Sequence, residues 1–279
     1  MYNKVMKKHF LPGISHPERK GILILLLFFV LAGINVEFSH LSTYSGNYSH
    51  YLMAIGASSL ILAYILPMSA FLRYLMKEWQ LSPTILWVSL VCGLFIPGWM
   101  AAYGNDWLLQ VYKAIIPAKA FLADWGDALT APVVEEGLKA ATALLIIAFF
   151  PKKSVRQTFF IALLVGFGFQ IMEDISYIAG ASFTHLNAAI PQAIDRLYMS
   201  MTSHWAYTSI FVVACYQLLY EKHYHKGRAI FWLLAAPVLH FIWDSPLNPN
   251  LFTYAFYGLI TAIIWFDLFL TLKNQGLDR

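Results

Sequence analysis

The chain has 279 residues, of which 59% are hydrophobic and 12% charged, about half the charged share of ordinary soluble domains, and its mean hydropathy is +0.60. That composition excludes a soluble globular fold and points to an integral membrane protein. The net charge of +4 carries no nucleic-acid signal, because the basic residues are scattered among short intervals instead of lining one face. Cys92 and Cys215 stand apart in apolar segments and imply neither a disulfide framework nor a cysteine metal knuckle.

Crossing a bilayer takes roughly 20 mostly apolar residues per helix. On that scale the spans fall near 20–37, 50–72, 84–103, 129–150, 158–181, 196–219, 229–246 and 251–272. The basic N-terminal stretch has no small-residue cleavage site close behind it, so the first span reads as a retained signal anchor. Between the third and fourth spans, Asn105 to Asp127 mixes Trp, Lys, Asp and Pro at an amphipathic spacing and is expected to lie along the interface.

Lys and Arg fix the orientation, since short positive loops stay cytoplasmic. Lys4, Lys7, Lys8, Arg19 and Lys20 precede the first span, and Arg73 and Lys77 follow the second. Lys152, Lys153 and Arg156 follow the fourth, Lys222, Lys226 and Arg228 the sixth, and Lys273 and Arg279 the last. Both termini are therefore expected in the cytoplasm. With no internal repeat and no linker, the expectation is an all-α polytopic membrane helix bundle of about eight transmembrane helices. It forms one membrane domain over 1–279, with a functional core at about 128–246.

Inside hydrocarbon an ionisable side chain costs on the order of 3 kcal/mol, so each needs a partner, a cavity or a function. The fourth span carries Glu135, Glu136 and Lys139, the fifth Glu173 and Asp174, the sixth His204, and the seventh His240 and Asp244. Counted from the outer ends of antiparallel spans, Glu135, Glu173 and His204 lie about 9 to 14 Å deep at 1.5 Å per residue. His240 is at a similar or slightly shallower depth, with Asp244 one turn above it. A shared polar cavity in the outer half follows.

Residues i and i+3 or i+4 share a helix face. Lys139 can therefore neutralise one of Glu135 and Glu136 and leave the other available, and Asp244 can fix the His240 tautomer or share a metal ion with it. Gly166, Gly168 and Gly137 allow close approach of helices or of a substrate backbone. Hydrolysis in such a place needs an activated water, a base and a group that polarises the carbonyl. Histidines with carboxylates supply either a zinc-type site or donors for an oxyanion, and the residues leave that choice open. No HExxH or GxSxG motif is present.

In chain order, Glu135-Glu136-x-x-Lys139, Phe169-x-x-x-Glu173, His204 and His240-x-x-x-Asp244 resemble the EExxK, FxxxE, His and HxxxD/N motifs of the PrsW family of intramembrane proteases, distant relatives of the CAAX prenyl protease and bacteriocin-processing group. The resemblance covers about 135–244. It implies a multi-pass protein of the bacterial inner membrane that cuts a single-span substrate, such as an anti-sigma factor, on the extracytoplasmic side. Glu135 or Glu136 would activate water, with Glu173, His204, His240 and Asp244 as candidate ligands of a metal, Zn2+ being the one to test. Related enzymes have also been read as glutamate-dependent without an essential metal. Asp174 stands where relatives often carry Asn.

The plainer readings are a structural ion pair for Glu135, Glu136 and Lys139, an interhelical hydrogen bond for Glu173, and core imidazoles for His204 and His240. Asp244 could cap a solvated helix end, and Asp267 has no motif around it. His9, His16, His40, His50, His185, His223 and His225 fall in tails and loops and read as solvated or interfacial. Two other functions stay in view: an ion- or proton-coupled transporter with the acids as a relay, and an inactive scaffold or immunity protein built on the protease fold.

Overall fold

The structure is a computed structural model that describes residues 17–43, 47–151, 154–221 and 226–274. Lys4, Lys7, Lys8, Lys152, Lys153, Lys222 and Arg279, on which part of the orientation rests, lie outside the described residues, as do His9, His16, His223 and His225.

Among the described residues the chain is helical without strands: α1 (Pro17–Thr43), α2 (Tyr48–Ser58), α3 (Leu62–Glu78), α4 (Pro83–Phe95), α5 (Pro97–Ile115), α6 (Lys119–Phe149), α7 (Val155–Thr184), α8 (Ala189–Met199), α9 (His204–Tyr220), α10 (Lys226–Trp243) and α11 (Leu251–Asn274). Helix is the only open structure that pairs all its backbone groups within hydrocarbon. Among the described residues five stretches are long and apolar enough to cross a membrane: Pro17–His40, Tyr48–Glu78, Pro83–Ile115, Val155–Thr184 and Leu251–Asn274. The helices α6, α9 and α10, which carry Glu135, His204 and His240, do not meet that measure. Charge interrupts α6, α9 has only 17 residues, and Lys226, Arg228 and His240 dilute the apolar run of α10.

Two segments depart from the sequence reading. Asn105 to Asp127, expected along the interface as one segment, is divided between two long helices: α5 runs on to Ile115, and α6 begins at Lys119. The two form a hairpin whose break contains Pro117, which cannot donate to a continuing helix. The stretch expected as one span at 196–219 is also split. Amphipathic α8 ends at Met199, a turn follows at Ser200–Thr202, and α9 starts at His204 after Ser203 leaves helical geometry (φ −131°, ψ −134°). His204 therefore opens a helix instead of sitting within one.

At the centre lies α7, packed against α9, α4, α2, α6 and α8. It is buried almost continuously from Val155 to Gln170, as expected of a helix apolar all round. Its glycines face different neighbours. A Cβ on Gly166 would meet the backbone oxygen of His204 at 2.5 Å, and one on Gly168 would meet the Leu94 nitrogen of α4 at 2.7 Å. Close helix packing, and not a substrate, occupies both positions.

Candidate active site

The site is built around Lys139, which is fully buried. One turn of α6 places Glu136 Oε1 2.8 Å and Glu135 Oε2 3.3 Å from its Nζ, and α9 brings His204 Nδ1 to 2.9 Å. An ammonium has three donors and no acceptor, so these three contacts use all of its hydrogens. The ring of Phe169 covers the same nitrogen at 4.0 Å.

That arrangement fixes the tautomer of His204. Because Lys139 can only donate, Nδ1 accepts, and the ring proton sits on Nε2, which donates to Glu173 Oε2 at 3.0 Å. Glu173 is held in turn by Arg196 of α8, whose guanidinium also grips Asp174. Asp174 is fully buried and accepts from Tyr64 of α3 at 2.7 Å and from Ser200 at 2.8 Å. The turn before α9 is thus tied to α7 on the side that carries Glu173.

His240 comes from α10 and is 1% exposed. Its Nε2 lies 3.2 Å from Asp244 Oδ2 and 3.9 Å from Glu135 Oε2, and its Nδ1 lies 3.2 Å from Glu136 Oε1 without hydrogen-bond alignment. Tyr207 stacks on the ring at 5.2 Å and 15°. Glu136 also accepts from Thr208 of α9 at 3.1 Å. The second carboxylate is therefore enclosed by Lys139, Thr208 and His240.

Glu135 differs. Its Oε2 faces Lys139, His204 and His240, while Oε1 accepts from Asn105 Nδ2 of α5 at 3.2 Å. The residue also lines a cavity of about 540 Å³ with Glu37 of α1, Ala102 and Asn105 of α5, and Glu173 and Tyr177 of α7. Glu135, His204 and His240 each offer a ligand atom within 4.8 Å of the others. Of the two glutamates, one faces both the histidine pair and the cavity.

A family model described as PrsW family intramembrane metalloprotease matches residues 81–269. The chain belongs to the PrsW family. It is accordingly a membrane-embedded protease. Searches of curated proteins and of solved structures found no match.

The donor set suits the metal that the PrsW description implies. One carboxylate oxygen and two imidazole nitrogens make the His2Glu combination used for catalytic zinc, and the lone pair of His204 Nδ1 faces the cluster while a carboxylate backs the opposite ring nitrogen. Ligands at about 2.0 to 2.2 Å from zinc lie closer together than these three atoms do, so inward movement and release of the Lys139 contact would accompany binding. Of the ligand candidates read from the sequence, His204 and His240 fall in this group. Glu173 instead stands behind His204 on its far nitrogen, and Asp244 meets His240 at Nε2, the nitrogen that also faces Glu135.

All seven residues singled out in sequence, Glu135, Glu136, Lys139, Glu173, His204, His240 and Asp244, meet in this one constellation. Asn105, Arg196, Tyr64 and Thr208 were missed. Of these, Arg196 is a cation at the first residue of the expected 196–219 span, a signal that could have found it. Asp267 pairs with Arg228 on the surface, away from this cluster. His50, read as solvated or interfacial, donates from Nδ1 to the Ser182 carbonyl at 2.6 Å and stacks on Phe183.

Proposed function

We propose that this protein is an endopeptidase that hydrolyses a peptide bond of a single-span, membrane-anchored protein, such as an anti-sigma factor, near the outer face of a bacterial inner membrane. The proposal includes eight spans, both termini in the cytoplasm and one membrane domain with its catalytic core at about 128–246. The alternation of basic loops and the common depth of the intramembrane charges support that orientation. The observation that carries the chemistry is the division of Glu135, with Oε2 turned to Lys139 and the histidines and Oε1 turned to Asn105 at the cavity wall.

In this reading Glu135 is the base. Its Oε1 takes a proton from water in the cavity and passes it to the departing amine. Glu136, sealed at 1% exposure, balances Lys139 and lies against His240. Lys139 holds both carboxylates in register and occupies the His204 lone pair until a metal ion takes it, and Glu173 and Asp244 hold the two imidazoles. Glu135, His204 and His240 would hold the metal ion, which when bound polarises the carbonyl and acidifies water. Burial keeps the charged groups in low dielectric, where fixed donors act strongly on developing charge.

The test is cleavage of a single-span reporter by purified protein in liposomes. Glu135→Gln and His240→Ala should insert and fold normally yet leave the reporter intact. Cleavage at the wild-type rate by either variant overturns the assignment.

A further inference from the structure

Asn105 stands out among the residues that the reaction scheme leaves unused. A carboxylate only accepts hydrogen bonds, so the contact with Glu135 Oε1 at 3.2 Å puts the amide NH2 of Asn105 on that side. Its Oδ1 then faces elsewhere, is buried, and finds no hydrogen-bond partner among the described residues. A buried acceptor left empty is costly, and this one belongs to a residue that lines the 540 Å³ cavity.

The α5 wall beside it carries small side chains. Gly98, Ala101 and Ala102 also line the cavity, and they precede Asn105 by seven, four and three residues, which puts all four on one face of α5. Small side chains there let an extended chain lie close to the helix, with Asn105 at the end next to Glu135. An extended peptide carries unpaired N–H groups and must satisfy them wherever water is excluded.

We infer that Asn105 is a substrate-binding residue: its Oδ1 accepts a backbone N–H of the peptide beside the scissile bond, while its Nδ2 holds Glu135 toward that bond. This rests on the protease reading of the site. It gives α5, outside the 128–246 core, a direct part in substrate binding.

The experiment uses synthetic single-span peptides in which each amide flanking the cleaved bond, that bond excepted, is replaced in turn by an ester, which removes one N–H. With wild-type protein in liposomes, one ester position should lower kcat/KM roughly fivefold to tenfold, the worth of one hydrogen bond. With Asn105→Ala, whose folding is checked by thermal melting, the same ester should cost nothing further. Asn105→Asp keeps an acceptor but loses the donor to Glu135, so it should retain the ester penalty on a lowered kcat. Equal ester penalties in wild type and Asn105→Ala at every position overturn the inference while leaving the protease reading intact. No cleavage of any peptide by the wild type overturns both.

Discussion

Arg196 holds Glu173 and Asp174, adjacent carboxylates of α7, with one guanidinium, and Glu173 accepts at the same time from His204 Nε2. A residue outside every recognised motif thus sets the orientation of a site histidine. Arg196→Gln should lower reporter cleavage by about 10- to 100-fold, the usual cost of losing the partner behind a ligating histidine. Arg196→Lys should recover part of that, because a point charge replaces the two-pronged grip. Rates are to be normalised to folded protein, since leaving Asp174 buried and unpaired costs about 3–5 kcal/mol of stability.

Neighbouring glutamates should fail in different ways. Glu135→Gln keeps the shape and the Asn105 contact and removes the base, so cleavage should fall by about 10²- to 10⁴-fold with little change in melting temperature. Glu136→Gln strips the closest counter-ion from Lys139, at 2.8 Å, and should lower the melting temperature markedly. A large melting shift in Glu135→Gln with none in Glu136→Gln would reverse the two roles.

Metal content separates the histidines from Glu173, the carboxylate behind His204. Purified wild-type protein should bind one zinc-class ion per chain and lose activity on chelation, with recovery on adding Zn2+. His204→Ala and His240→Ala should abolish that binding, while Glu173→Ala, which removes the partner on the far nitrogen of His204, should weaken it by about 10- to 100-fold. Elemental analysis and equilibrium dialysis read this directly, independent of cleavage.

The sequence was most informative where one helix sets the geometry. Glu135, Glu136 and Lys139 meet as i, i+3 and i+4 neighbours, and His240 meets Asp244 one turn on, because helical pitch alone determines those distances. Apolar length likewise exposed the five stretches able to cross a membrane among the described residues. What depended on tertiary packing was hidden. The break before His204 follows from Ser203 leaving helical geometry beside the network of Arg196, Asp174 and Ser200, and no local propensity marks it. Asn105 looked interfacial because its neighbours Asp106 and Trp107 are polar or amphipathic, whereas a hairpin turn at Pro117 folds α5 back along α6 and delivers it to Glu135. Contacts between helices distant in sequence leave no periodic trace.

Glycines in the site helices give a paired test of how close packing positions His204. A Cβ at Gly166 would approach the His204 carbonyl oxygen at 2.5 Å and the Trp205 Cα at 2.9 Å, both backbone atoms that cannot rotate away. Gly166→Ala must therefore push α9 off α7, at about 1–3 kcal/mol of overpacking, and carry the imidazole away from both Lys139 and Glu173. Gly137 on α6, beside Glu136, has nothing within 4 Å of the same added carbon. Gly137→Ala should leave cleavage unchanged and raise stability by about 0.5–1 kcal/mol through helix propensity. Melting in detergent and reporter cleavage, measured on both variants, check this: a drop in both for Gly166→Ala alone ties the site geometry to the α7–α9 crossing, and equal behaviour of the two variants breaks that tie.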